Sequence, residues 1–303
     1  MKKVIVTTTI NPPTEALVKF SKLDDWKLIV VGDLKTPHKD YQKLKNIIYL
    51  SPEQQEKMSK NISDIIGWNC IQRRNFGFML SHKLKAEIIA TVDDDNIPLK
   101  NWGKNILVGK KIKVKIYNDN SGFFDPLSVT EHKNLWHRGF PVQLLKERSP
   151  KYKGIKEVHC LVQADFWNGD PDIDAICRIS LRPEIKFKKF YPFSSKNLTP
   201  FNSQNTFIHK SLLKHYLMFP GIGRMDDIWA AYYIQQKFKR LLPFIVFSSS
   251  SVYQNRNVHN YVLDLKKEII GYEKTIFFKN QKVKSFLPKS CLKLINLYRD
   301  FFI

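Results

Sequence analysis

The sequence is poor in cysteine. Cys70, Cys160, Cys177 and Cys291 are widely separated and form no C-x-x-C pair. That excludes the usual zinc spacings and argues against a disulfide framework, so a reducing compartment is expected. Long apolar runs are missing as well. None approaches the ~18 residues of a membrane-spanning helix. The N-terminal stretch Val4, Ile5, Val6 is too short for a secretory signal core. The expectation is a soluble or peripheral cytoplasmic protein, on the inner face of the cell membrane if peripheral. There is no internal repeat and no Gly/Ser linker. Acids are in deficit: 28 Asp and Glu face 50 Lys and Arg, for a formal net charge of +22. Such a balance favours an anionic partner, whether nucleotide phosphate, nucleic acid or acidic lipid. The lysines are spread along the chain, so part of the excess is composition bias.

What is present suits a folded α/β protein. The 303 residues are 43% apolar, enough for one large domain or two sharing a cleft. "KKVIVTTTI", "WKLIVVGD", "NIIYLS" and "EIIATV" read as strands. "TEALVKFSKL" behind Thr14, "SPEQQEKM" and "RRNFGFMLSHKLKA" read as helices, and "LKTPHKDY" as a loop. This alternation predicts a mostly parallel central sheet flanked by helices, with ligands beyond the carboxyl ends of its strands. Residues 7–11, Gly32-Asp33 and Asp93 to Asp95 all fall at that edge. After residue 116 the texture turns aromatic and proline-rich. "DIWAAYYIQQKFKRLL" reads as an amphipathic helix and "FIVFSSSSVYQNRN" as a strand entering a polar loop. The expected division is a nucleotide-binding half at 1–116, an acceptor half at 117–265 and a basic amphipathic tail at 266–303.

Asp93, Asp94 and Asp95 follow a buried strand directly. Adjacent carboxylates repel, and a hard divalent cation relieves the repulsion. Mg²⁺ or Mn²⁺ there would bridge nucleotide phosphates and neutralise a leaving diphosphate. The alternative is a solvated acidic turn that caps the next segment.

"TTTINPPTEAL", "WKLIVVGDLKTP", "RRNFGFM", "ATVDDDNIP", "HRGFP", "DPDIDAICR", "GRMDDIWAAYY" and "QNRNVHN" occur in one order over residues 4–272. Together they resemble the STELLO-type glycosyltransferases and their bacterial relatives, and more distantly the reversibly glycosylated polypeptides. The resemblance is to the catalytic part of the STELLO proteins, so their Golgi setting is not expected here. It implies a GT-A fold with Asp93 and Asp95 as its D-x-D pair. Asp93 and Asp94 would serve the ribose side, and Asp95, with Asp93, the metal. Thr7, Thr8, Asn11 and Asp33 would meet the donor's base and ribose. Arg73 and Arg74 would hold the diphosphate or brace the carboxylates, since a guanidinium matches either. Asp227, with Asp226 next, resembles the final acid of the GT-A "xED" element and would be the general base. The alternative for this pair is a doubly acidic helix start. His259 would be a C-terminal metal ligand or an ordinary loop histidine. Arg256 would meet a phosphate, and His137 and Arg138 would lie near the donor sugar or the acceptor.

The leading reading is a metal-dependent transferase. It would move a sugar from a nucleotide-sugar donor, a UDP-sugar, to a glycan or lipid-linked acceptor in bacterial surface polysaccharide synthesis. A UDP-sugar mutase is the alternative enzyme. A basic nucleic-acid-binding protein is the non-enzyme alternative, and the absence of an RNP, zinc-finger or helix-turn-helix signature speaks against nucleic acid. A non-catalytic partner of another transferase also remains open. In the tail, Leu292, Ile295, Tyr298 and Phe302 make one apolar stripe flanked by Lys289, Lys293 and Arg299. It would either pack on the domain or lie on an anionic membrane.

Overall fold

The computed structural model describes residues 2–257 and 260–303. The first part alternates as expected: β1 (Lys3–Thr9), α1 (Glu15–Phe20), β2 (Lys27–Gly32), α2 (His38–Gln42), β3 (Ile47–Leu50), α3 (Pro52–Met58), α4 (Lys60–Ile66), α5 (Arg74–Lys83) and β4 (Ile88–Val92). Local chemistry sets the helix starts. Thr14 Oγ1 accepts the Leu17 amide at α1, and Ser51 and Gln54 close a reciprocal capping box behind Pro52 at α3. The segment expected as a loop contains α2. The remainder consists of β5 (Asn96–Pro98), β6 (Lys111–Asn118), β7 (Lys151–His159), β8 (Val162–Gly169), α6 (Ala175–Leu181), β9 (Phe193–Ser194), β10 (Asn205–His209), α7 (Lys210–Leu213), α8 (Asp226–Lys237), β11 (Ile245–Gln254), α9 (Tyr261–Lys274) and α10 (Lys289–Asp300).

These strands form one sheet in the order β3-β2-β1-β4-β10-β8-β11-β9-β6-β7, with β5 beside β11. β3, β2, β1 and β4 are parallel. Beyond β4 the sheet is mixed, which departs from the mostly parallel expectation. β10 runs antiparallel to both its neighbours, β4 and β8. An antiparallel entry needs no crossover helix, so β10 returns from the cleft edge directly. The sheet also runs straight through the expected boundary at 116, which falls inside β6. The two expected halves therefore share one sheet.

The triplet's place follows from this topology. β4 ends at Val92, the chain turns through Asp93 to Asp95, and β5 then pairs with the carboxyl end of β11. The Asp95 carbonyl accepts the Asn255 amide, closing the loop against the far half of the sheet. α8 is not amphipathic as expected, since every residue from Asp226 to Gln235 is buried. Its polar groups are satisfied inside: Gln235 exchanges hydrogen bonds with the Thr199 backbone, and Tyr232 Oη donates to the Gly139 carbonyl at 3.0 Å. Gly139 has φ +87°, and a Cβ there would lie 2.2 Å from Ile228 Cγ2. Glycine is what lets the "HRGFP" turn lie on α8.

The expected tail is not a separate unit. The boundary at 265 falls inside α9, and α10 turns Leu294, Ile295 and Tyr298 into the core. Tyr298 Oη lies 3.2 Å from the carbonyls of both Leu213 and Tyr216. Of the expected stripe, Leu292 remains 38% exposed. Within the stripe, Ile295 and Tyr298 are committed to packing on the domain. No helix among the described residues is long and apolar enough to cross one.

Ile295→Ala should cost about 2–5 kcal/mol, the range for deleting buried aliphatic groups, read as a lowered urea midpoint. An unchanged midpoint would mean that α10 lies outside the cooperative core.

Candidate functional site

A cleft of about 770 Å³ opens at the carboxyl ends of β1, β2 and β4. Each residue of the triplet plays a different part in it. Asp94 Oδ2 accepts from Thr9 Oγ1 at 2.5 Å and from Asn11 Nδ2 at 2.9 Å, and the Asp94 carbonyl accepts from Thr14 Oγ1. It ties the loop after β1 to the loop after β4. Asp93 Oδ1 accepts from Arg74 Nη2 at 2.7 Å. Asp95 Oδ2 accepts the Asn257 amide at 3.3 Å, while Oδ1 is shut from solvent without a hydrogen-bond partner among the described residues. Burial, then the charges of Asp93 and Asp94, push the Asp95 carboxyl up to about 6.

The arginines expected near the diphosphate separate. Arg74 lines the cleft and donates to Ser203 and Thr91 as well as Asp93. Arg73 turns under it, donating to Gln55 Oε1 at 2.8 Å and Ser63 Oγ at 2.9 Å, with its guanidinium 3.6 Å from the Trp68 ring centroid. Burial lowers it to about 10. Asp33 is on the cleft wall, where it accepts the amides of Leu34, Asn69 and Cys70 and so shapes the loop before α5. Thr8 is also on the wall, its Oγ1 donating to the Val31 carbonyl at 2.9 Å. Thr7 is fully buried in β1, with Oγ1 unpartnered among the described residues.

Arg138 is the centre of the second cluster. Its Nε and Nη2 donate to the two oxygens of Asp172 at 2.8 and 2.9 Å. Its Nη1 and Nη2 reach the two oxygens of Asp227 at 3.0 and 3.3 Å. Asp227 Oδ2 also accepts Ser203 N at 2.8 Å and Ser203 Oγ at 3.1 Å, and Oδ1 accepts the Ile228 amide at 2.8 Å. Burial alone would raise both carboxyls, but the guanidinium holds Asp172 and Asp227 below the usual range. Asp226 differs. It accepts one side-chain hydrogen bond, from Gln72 Nε2 at 2.8 Å. Burial and then the Asp227 charge push it up to about 7. Asp227, expected as the base, has both oxygens occupied by hydrogen bonds, and Asp226, expected next to it, is the carboxyl of the pair that is raised.

The remaining expected residues sort as follows. Arg256 lines the cleft and pairs with Asp170 Oδ2 at 3.1 Å. His137 does not line it: it packs against Trp167 and donates from Nδ1 to the Arg138 carbonyl. Burial pushes its imidazole below the ordinary value. His259 lies outside the described residues. Sequence reasoning missed Gln72, Asp172, Arg224 and Lys267, all on the cleft wall. The signal for Asp172 was present in "DPDIDAICR". For Arg224 it lay in the turn "GIGRM", where a Cβ on Gly223 would sit 2.0 Å from the Lys267 carbonyl and φ is +60°. Among the described residues, no three His, Cys, Asp or Glu groups converge as a metal cage. Asp93 and Asp95 nevertheless fit a hard cation whose other ligands come from a phosphate-bearing ligand: both are oxygen donors, and Asp95 Oδ1 is a buried acceptor with nothing to accept.

Arg138→Leu should destabilise the fold by about 3–5 kcal/mol, because Asp172 and Asp227 would be left buried and unpaired. Carboxylates held low in the folded state contribute stability above their unfolded value of about 3.9, and lose it as pH falls through the lower folded value. Denaturant midpoints of the two proteins should therefore differ most near pH 7 and converge on acidification. A gap that does not depend on pH would place the loss in packing rather than in charge.

No family model matches the chain. It is 24% identical over 289 residues to the probable glycosyltransferase STELLO2 of Arabidopsis thaliana, a match covering 88% of this chain and 38% of that protein. For STELLO1 of the same plant the identity is 23%, covering 88% and 37%. The chain thus spans less than half the length of these relatives. Among solved structures, a mycobacterial protein matches with a TM-score of 0.48 at 12% identity, covering 92% of this chain and 74% of that one. Glucosyl-3-phosphoglycerate synthase from Mycobacterium tuberculosis, in complex with Mn²⁺ and UDP-glucose, matches at 0.47 and 14%, covering 91% and 78%. Along most of its length the chain is similar to part of the STELLO glycosyltransferases, the family that its ordered motifs resemble.

Proposed function

We propose that this chain is a GT-A-type glycosyltransferase that moves a sugar from a nucleotide-sugar donor to an acceptor hydroxyl in the cleft. The observation that carries the reading is the pairing of two acid sites on one cleft wall. One is the strand-end group Asp93 to Asp95, with an orphaned carboxylate oxygen. The other is Asp226, raised to about 7. Similarity to the STELLO proteins supports it.

Asp93 and Asp95 would hold Mn²⁺ or Mg²⁺. When bound, that cation neutralises charge on the donor diphosphate. Arg74 keeps Asp93 in place through Nη2. Thr8, Asn11 and Asp33, on the cleft wall at the ends of β1 and β2, would meet the base and ribose of a UDP-sugar. Asp226 takes the proton as the acceptor oxygen bonds to the anomeric carbon and the bond from that carbon to the diphosphate breaks. A base with a value near the working pH combines availability with driving force. Asp227 stays charged throughout, and Gln72 orients Asp226. The acceptor is read as a glycan or lipid-linked hydroxyl in bacterial surface polysaccharide synthesis, and the compartment as the cytoplasm.

Asp226→Asn should lower turnover by ~10²–10⁴-fold, the usual contribution of a general base, with donor affinity little changed. The parent's rate should rise through about pH 7 as Asp226 loses its proton, and this limb should vanish in the variant. A variant that keeps the limb would move the base elsewhere.

Thermal unfolding checks the donor site without any acceptor. Mn²⁺ together with a UDP-sugar should raise the melting temperature by mass action, and Asp95→Ala should abolish that rise while leaving the unliganded protein folded. A rise of equal size in the variant would remove Asp95 from the metal site.

A further inference from the structure

The far edge of the sheet, away from the cleft's acids, has its own chemistry. β7 ends the sheet and pairs only with β6 among the described strands. Along residues 151–157 its side chains are exposed on both faces, apart from the half-buried Gly154. Lys151, Lys153 and Lys156 lie on β7, and Lys111, Lys113 and Lys115 on β6. Residues 186–191, "KFKKFY", lead into β9, and the Pro192 carbonyl accepts the Lys115 amide at 3.0 Å. They add the exposed Lys186, Lys188 and Lys189. Glu157 is the one acid on the ribbon and on 186–191, and arginine is absent from these segments.

Lysines on an edge strand are expected for protection against sheet-to-sheet association. That explanation does not cover the apolar groups among them. Tyr152 is 53% exposed, Ile155 52% and Tyr191 44%. Edge protection would place polar residues there. Apolar side chains set among long, flexible ammonium groups suit a different environment. In a bilayer interface, Tyr and Ile enter the headgroup region while lysine stems lie along it and their charges meet lipid phosphate.

We propose that the β6–β7 ribbon, with residues 186–191, is a docking surface for an anionic lipid bilayer. Charge complementarity and the exposed Tyr152, Ile155 and Tyr191 select this occupant. A nucleic-acid surface would more often use arginine forks, and Ile155 has no flat face for stacking on a base. The docking does not depend on the activity proposed for the cleft.

The test uses the full chain and sedimentation with phosphatidylcholine vesicles, with and without phosphatidylserine. Binding should require the anionic lipid and weaken as salt rises. Replacing three lysines (Lys151→Gln, Lys153→Gln and Lys156→Gln) should lower partitioning by about 10²-fold. Tyr152→Ser with Ile155→Ser should weaken binding while leaving its salt dependence. Lys289→Gln with Lys293→Gln, on the exposed side of α10, should bind as the parent does. Unchanged denaturation midpoints establish that the variants are folded. Equal binding to neutral vesicles, or ribbon variants that bind like the parent, would overturn the proposal. So would lysine-dependent binding to single-stranded RNA without binding to vesicles, or a dimer through β7 that leaves the vesicles unbound.

Discussion

Carboxylates crowded around one cleft repel each other, and the fold tolerates them because two buried guanidinium groups stand between them. Arg74 joins Asp93 to the Ser203 backbone and hydroxyl, and Ser203 in turn donates to Asp227. Arg138 joins Asp227 to Asp172. The result is one continuous polar chain from the end of β4, across the loop before β10, to the start of α8. Each link is charge-assisted or made inside the protein, where an unpaired partner would be costly. Removing one guanidinium therefore does more than delete a contact: it turns its partners into uncompensated buried charges.

The sheet is arranged around that chain. The parallel strands β1, β2 and β4 deliver their loops to one edge. The antiparallel β10 begins at that same edge, beside Val92, and brings Gln204 to the cleft wall, with Asn202, Ser203 and Asn205 buried behind it. A fully parallel sheet would have carried this segment to the opposite end. Asn202 donates to Asp172 at 2.7 Å, and Gln204 contacts Asn96 and Gln254. The reversal of β10 is therefore what supplies the central polar residues between the two acid clusters. The turn into α5 serves both clusters from the other side: Gln72, just before the helix, holds Asp226, and Arg74, its first residue, holds Asp93.

Features written in consecutive residues were legible. The strand "EIIATV" ending in three aspartates, the helix behind Thr14 and the helix of "SPEQQEKM" depend on neighbours in the chain, and each lies where the pattern put it. The bracing role of Arg74 was one of two readings, and the geometry carries it. Pairings across long separations were not legible. Nothing near Arg138 announces Asp172 and Asp227, which reach it from 34 and 89 residues away, nor does "IQRR" announce that Gln72 meets an aspartate 154 residues on. The amphipathicity of α10 was legible, but its partner was not, because an apolar stripe looks the same whether it faces lipid or the protein's own core. For α8 the failure was of another kind. A helix buried all round carries its polar residues inward, and their partners, such as the Thr199 backbone for Gln235, lie outside any local window.

The two acids at the head of α8 show the same limit at its sharpest. Adjacent helical residues point about 100° apart, so only one of the pair can meet the guanidinium that lies beside the helix. Asp227 does, and the guanidinium holds its carboxyl below the usual range. Asp226 then sits in a low-dielectric site beside the Asp227 charge. Burial and that charge raise its proton affinity in the same direction. Arg138 and Arg224 act on Asp226 in the other direction, but burial and then the Asp227 charge outweigh them. Two residues that look interchangeable in "GRMDDIW" have carboxyls shifted in opposite directions, and an arginine from a distant turn hydrogen-bonds one of them and not the other.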